Sequence, residues 1–270
     1  MPDIGGKSLE KSLIIPFKNG QFNCRIFGKG PEYIIALHGF GQDGNVFKKY
    51  LLPNQIIAAI DLPFHGASYL SNDKKPLSDD DLVEVVNRIR TSLSIQDFSL
   101  FAFSLGTRMA YPVIRKFAGN LRKVILVAPV GLYVNIWYWL ATSTAFMRSI
   151  FKYLMMNQEK FRFFIALFYR FGLLGSSLRD FVLISAANNE RGRQIYGSWC
   201  SLRHFSISPG VLVKQLSKHC KSLTLVVGSY DQVVKKESIK KAVGQSTLIN
   251  IVEYPVAHGK LLGKSWDLLR

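Results

Sequence analysis

Cysteine is scarce in this chain. Three residues in 270 (Cys24, Cys200 and Cys220), widely spaced and with no Cys-x-x-Cys pair, give neither a disulfide framework nor a thiolate metal site, and they fit a reducing compartment. The opening residues, Met1 to Gly6, have no apolar core of the signal-peptide kind, so the expected location is the cytoplasm, with peripheral membrane contact left open. Apolar runs long enough to span a bilayer are also missing. Leu132 to Met147 falls short of the roughly 20 residues required and contains Asn135, and the next apolar block is interrupted by Arg162 and Arg170. No metal-ligand cluster, phosphate loop or dinucleotide fingerprint is present, so no metal and no cofactor are expected. Acidic residues are few, 18 against 35 Lys and Arg, for a net charge of +17. Such a balance serves solubility, or it suits an acidic carrier protein or an anionic membrane surface. Nucleic acid is not expected, because the basic residues are scattered and accompany no reader motif.

What is present alternates between strands and helices. Asn19-Gly20 is a hairpin signal between strands at about Ser12–Phe17 and Gln21–Phe27. Continuous apolar runs at Tyr33–Leu37, Gln55–Ile60 and Phe98–Phe103 read as central parallel strands covered on both faces, with further strands at Val124–Ala128, Leu223–Val227 and Leu248–Val252. Ser78, with Asp81 at the capping-box position, opens a helix whose apolar face is Leu82, Val85, Val86 and Ile89. A doubly wound α/β architecture follows. Between residues 132 and 208 the alternation stops, and aromatic residues are interleaved with Arg and Lys. This stretch is expected to form a helical lid above the sheet, which divides the core into residues 1–131 and 209–270. Its aromatics pack the lid, and some of them are expected to line an acyl pocket or touch a membrane surface.

Three polar residues sit at strand ends. Ser104 lies between the strand ending at Phe103 and a helix expected over Arg108–Phe117, with small residues two before (Ala102) and two after (Gly106). That is the form of a nucleophile elbow, where a tight turn leaves no room for larger neighbours. Asp231 and His258 each follow a late apolar run, so the order is Ser, Asp, His. A serine hydroxyl needs a base to become nucleophilic; His258 can take its proton, and Asp231 can orient and stabilise the imidazole. The backbone N–H groups of Leu105 and Phe40 are the candidate oxyanion donors. His65, His204 and His219 do not follow a late strand, and no carboxylate follows the strand ending at Ala128 until Glu159.

With Leu37-His38-Gly39-Phe40-Gly41-Gln42-Asp43, Asp61-Leu62-Pro63-Phe64-His65-Gly66-Ala67-Ser68, the Ser104 elbow, Asp231 and His258-Gly259, the chain resembles the α/β-hydrolase superfamily over nearly its whole length. The resemblance implies a mostly parallel α/β-hydrolase sheet with an inserted lid and a Ser104–His258–Asp231 triad. Ala102 and Phe64 stand where the family commonly has glycine, and Phe64 is expected to reshape its loop. The expected reaction is hydrolysis of a carboxylic ester or thioester bearing an apolar acyl or aromatic group. The small-molecule substrate would pass through an acyl-enzyme on Ser104. An alternative rests on Arg108. Ser104-Leu105-Gly106-Thr107-Arg108 resembles the elbow of the menaquinone-pathway synthases, in which the arginine helps to hold a substrate carboxylate for a lyase reaction. Arg108 read as a helix-surface charge, or as the partner of a nearby acid, is the structural reading beside it. A scaffold that only binds a ligand is the third.

Overall fold

The apolar runs line up as one sheet. The computed structural model describes residues 10–18, 20–71, 75–217, 222–244 and 248–270. The strands are β1 (Glu10–Phe17), β2 (Gly20–Gly28), β3 (Glu32–Leu37), β4 (Gln55–Ile60), β5 (Tyr69–Leu70), β6 (Phe98–Phe103), β7 (Leu121–Val127), β8 (Ser222–Gly228) and β9 (Ile249–Tyr254). The helices are α1 (Asp79–Ser92), α2 (Gly106–Phe117), α3 (Ile136–Thr142), α4 (Ala145–Met156), α5 (Gln158–Arg170), α6 (Ser176–Ser185), α7 (Asn189–Ser201), α8 (Pro209–Ser217), α9 (Lys236–Val243) and α10 (Leu261–Ser265).

The strand order is β1-β2-β4-β3-β6-β7-β8-β9, with β5 beside β2. The β1–β2 hairpin and the β2–β4 pair are antiparallel, and every pair from β4 to β9 is parallel. Phe17 pairs with Gly20 across the hairpin, while Asn19, part of the expected turn signal, lies outside the described residues. The parallel strands are sealed on both faces: Ile34 to Leu37 and Leu100 to Ala102 are buried without alternation. Under the sheet, Trp266 packs on Phe101 and Phe47, with ring centroids 4.6 and 5.4 Å away.

The capping box of α1 closes with an aspartate. The Asp81 N–H donates to Ser78 Oγ at 3.2 Å, and the Ser78 N–H donates to the Asp81 carboxylate at 2.9 Å. Leu82, Val85, Val86 and Ile89 are buried as their spacing predicts. Helix α2 starts at Gly106, two residues earlier than expected, because the tight turn at Ser104 leads straight into helical backbone.

Between β7 and α8 the chain forms the helices α3 to α7, outside the sheet. They enclose a small core of their own, with Met155, Phe161, Ile165, Ile195, Tyr196 and Cys200 buried together.

Candidate active site

The elbow is built by steric exclusion. Ser104 has φ +50, a left-handed conformation that is costly for a residue with a Cβ. Its N–H is anchored to the Val127 carbonyl at 2.8 Å. A Cβ on Gly106 would lie 2.5 Å from the His38 carbonyl oxygen and 2.6 Å from that of Leu37, so only glycine lets α2 pass the end of β3. Ala102 is fully buried, and its methyl is accommodated there. Thr107 ties the elbow to the loop after β7: its Oγ1 hydrogen-bonds the Ser104 carbonyl at 2.6 Å and accepts from the Val130 N–H at 2.9 Å.

Loops from three strand ends bring Ser104, His258 and Asp231 together. His258 Nε2 lies 2.9 Å from Ser104 Oγ, and His258 Nδ1 lies 2.7 Å from Asp231 Oδ2. The other carboxylate oxygen of Asp231 accepts from the N–H groups of Val233 and Val234 at 2.8 and 2.9 Å, which fixes the carboxylate plane. The His258 ring leans on Phe103, with centroids 5.1 Å apart. Asp231 is buried, whereas His258 keeps one edge open to the site. A carboxylate at Nδ1 leaves Nε2 free of its proton and directed at the hydroxyl, the arrangement a general base requires.

The loop carrying Phe40 is held by side chains from four directions. Leu62 N–H donates to His38 Nε2 at 3.0 Å, and Gly41 N–H donates to His65 Nε2 at 3.1 Å. An amide N–H cannot accept, so each Nε2 is bare and each proton sits on Nδ1, facing the Gly39 carbonyl at 2.8 Å and the Pro63 carbonyl at 2.9 Å respectively. Burial, and then the neighbouring His65, hold His38 down to about 3, and burial likewise lowers His65. Both rings are therefore neutral spacers at physiological pH. Gln42 Oε1 accepts from the Gly39 N–H at 3.0 Å, and Arg191 Nη1, from α7, donates to the Gly41 carbonyl at 3.3 Å. Among the described residues, neither the Phe40 N–H nor the Leu105 N–H is taken by another backbone group.

Asp61 locks the segment after β4. Its carboxylate accepts from Gly44 N–H at 2.7 Å, Ala67 N–H at 3.0 Å and Asn23 Nδ2 at 2.7 Å. Phe64 keeps a left-handed φ of +64, and its ring packs so closely on α7 that a Cβ on Gly197 would lie 2.7 Å from it. The expected reshaping is thus a side-chain bridge to the insertion, with the left-handed backbone retained. The part played by His65, Gln42, Arg191 and Phe64 was not legible from spacing, although His65, Gln42 and Phe64 all lie inside the motifs quoted above.

Arg108 is buried, not a helix-surface charge. Nη1 donates to the Phe205 carbonyl at 2.9 Å, and the guanidinium lies 3.8 Å from the Tyr138 ring centroid. No carboxylate pairs with it among the described residues. The arginine thus spans from the elbow helix to the two ends of the insertion. Among the described residues, no group of three His, Cys, Asp or Glu is arranged to hold a metal ion. The imidazole bonded to Ser104 Oγ is that of His258, while both ring nitrogens of the rival His65 bond backbone groups, and His219 and Cys220 lie outside the described residues.

Comparison with known proteins bears on the fold that carries this site. The family model described as alpha/beta hydrolase fold matches residues 33–251. The uncharacterized hydrolase YNR064C of Saccharomyces cerevisiae is 28% identical over 139 residues, covering 46% of this chain and 48% of that protein. The chain thus matches about half the length of that relative. A serine hydrolase from the polyaromatic-hydrocarbon-degrading bacterium Cycloclasticus zankles superposes with a TM-score of 0.65 at 14% identity, covering 97% of this chain and 96% of that one. A thioesterase domain from the curacin biosynthetic pathway superposes at 0.61 with 15% identity, covering 96% and 98%. At such identities the likeness is one of fold.

Proposed function

Because the chain belongs to the α/β-hydrolase fold family, we propose that it hydrolyses carboxylic esters or thioesters through an acyl-enzyme on Ser104. The observation that carries this reading is the hydrogen-bond chain from Ser104 Oγ through His258 to Asp231, at 2.9 and 2.7 Å. Ser104 Oγ attacks the acyl carbonyl while its proton passes to His258 Nε2. Asp231 stabilises the imidazolium that forms, without taking the proton. The tetrahedral oxyanion is met by the N–H groups of Leu105 and Phe40. In comparable sites one such donor contributes about 2.7–4 kcal/mol. His258 then returns the proton to the departing alcohol or thiol. Water, deprotonated by the same nitrogen, releases the acid.

The bracing of the Phe40 loop supports the second donor. His38, His65, Gln42 and Arg191 leave its backbone little freedom, as preorganised charge stabilisation needs. The insertion stands to the site as a lid, since Arg191 and Phe64 join it to that loop and to the segment after β4. Its apolar content favours an acyl or aromatic group over a polar one. The lyase alternative, in which Arg108 holds a substrate carboxylate, has less support, because that guanidinium is buried between the Phe205 carbonyl and the Tyr138 ring.

The reading is tested by trapping the intermediate. Purified protein is mixed with nitrophenyl esters and acyl thioesters of graded chain length, quenched in acid and weighed intact. A mass increase equal to the acyl group, located on Ser104 and absent from Ser104→Ala, is expected. Turnover of these substrates with no acyl adduct under any quench, or no turnover at all, would overturn it.

A further inference from the structure

The insertion carries most of the large apolar side chains left exposed among the described residues. Of the nineteen exposed large apolar side chains among the described residues, fourteen lie between Val134 and Ile184. Several are joined into one patch. Trp137 of α3 lies 5.5 Å from Phe168 of α5, Phe168 lies 6.5 Å from Phe164, and Phe164 lies 6.0 Å from Phe163. Phe164 and Phe168 are one helical turn apart, and Phe171 continues the same stripe. Phe161 and Ile165, on the neighbouring stripe, fill the insertion's own core. Packing inside the insertion therefore buries Phe161 and Ile165 and partly covers Phe168, while Phe163, Phe164 and Phe171 stay exposed. Phe163 is 65% exposed and Phe171 69%, far beyond what a folded core tolerates.

Charge indicates what covers the patch. Residues 132 to 208 contain nine Lys and Arg against three Asp and Glu. Lys160, Arg162 and Arg170 are exposed on α5 itself. A second copy of the chain would bring the same excess of positive charge, and the two faces would repel. Aromatic rings bordered by basic side chains match a lipid surface with anionic headgroups: the rings settle at headgroup depth, and the cations meet the phosphates. No helix among the described residues is long and apolar enough to cross a membrane, so these helices would lie along one leaflet.

We propose that the α3–α5 face of the insertion docks on anionic lipid bilayers, burying Trp137, Phe163, Phe164 and Phe171 among the headgroups. The proposal does not depend on the reaction at Ser104.

Its test uses the full chain and two kinds of vesicle, phosphatidylcholine alone and phosphatidylcholine with phosphatidylglycerol. Co-sedimentation should show binding at least about 10-fold tighter to the anionic vesicles, since each basic group near such a surface adds to the attraction. Trp137 and Trp139 are exposed and Trp266 is buried, so the emission should shift to the blue on binding and be quenched by lipids brominated in the acyl chain. The double variant Phe163→Ser/Phe164→Ser should keep its Tm and lose at least about 10-fold in vesicle affinity. Binding that the variant leaves unchanged, or that comes without an emission shift, would reduce the effect to general electrostatic adhesion and overturn the proposal. So would a dimer, or a complex with an acyl carrier protein, that forms without lipid and is lost in the same variant.

Discussion

Helices α2 and α5 are nearly equal in length and both rich in apolar residues, yet α2 buries ten of its twelve residues and α5 only two of its thirteen. The difference lies in what surrounds them. Helix α2 is sandwiched between the sheet, α1 and α8, so even Arg108 and Thr107 on it are enclosed and must find partners in Phe205, Tyr138 and Val130. Helix α5 lies in an insertion with a small core and packs against α4 and α6 with only Phe161 and Ile165 buried. The same kind of composition thus serves rigidity in one place and an open apolar face in the other. The first follows directly on the Ser104 elbow, and the second presents exposed rings at the surface.

The largest effects should fall on the rigid side. Ser104→Ala should lower kcat of ester hydrolysis by roughly 10^5-fold or more, and Asp231→Asn by about 10^4-fold, with Tm nearly unchanged in both. Steady-state kinetics beside thermal melts would check this. A Ser104→Ala protein that keeps most of its activity would put the chemistry elsewhere.

Next comes the packing contrast itself. Phe101→Ala removes a fully buried ring beside Trp266 and should destabilise by about 3–5 kcal/mol. Phe163→Ala, on the open face, should stay within about 0.5 kcal/mol of the wild type. Denaturant melts of the two variants measure the gap, and similar losses would erase the distinction between the sealed core that α2 covers and the open face of α5.

Phe64 joins the two regions and gives a finer test. Both Phe64→Ala and Phe64→Gly lose the packing on Gly197, but only glycine relieves the left-handed backbone at φ +64. The glycine variant should therefore be the more stable of the two, by about 1 kcal/mol. Equal stability would mean that the backbone there carries no strain.

The smallest effect is in pH. Burial holds both His38 and His65 below the ordinary imidazole value of about 6.5, His38 down to about 3, so as the pH falls below about 6.5 the unfolded chain binds protons that the folded chain refuses. Stability should be full above about pH 6.5 and fall as the pH drops toward 3. In His65→Gln, where an amide oxygen can take over as acceptor for the Gly41 N–H, part of that slope should disappear. A melt series across this range that shows the same slope in the variant would assign the pH dependence to other groups.

The rigid region was also the more legible one. Strand β6 ends where its apolar run ends, and the Ser78–Asp81 box and the bare positions around Ser104 are local signals that need no knowledge of distant contacts. The order Ser104, Asp231, His258 then suffices to anticipate the hydrogen-bond chain, because parallel strands bring their ends to one edge of the sheet. Helix α2 starts two residues before the expected Arg108, since periodicity does not show how abruptly the elbow turns into helix. Nor was the burial of Arg108 legible. It depends on Tyr138 and Phe205, which the insertion brings from far along the chain. The same holds for Arg191 on the Gly41 carbonyl and Phe64 on Gly197. These are long-range contacts between an aperiodic insertion and short loops, and no local pattern encodes them.

The most direct test of the account is the intact mass of the protein after exposure to a fluorophosphonate, with wild type and a Ser104→Ala control of equal Tm run side by side. The account predicts one phosphonyl adduct on the wild type, located at Ser104, and none on the control. An unlabelled, well-folded wild type, or equal labelling of both proteins, would contradict an activated serine at the elbow.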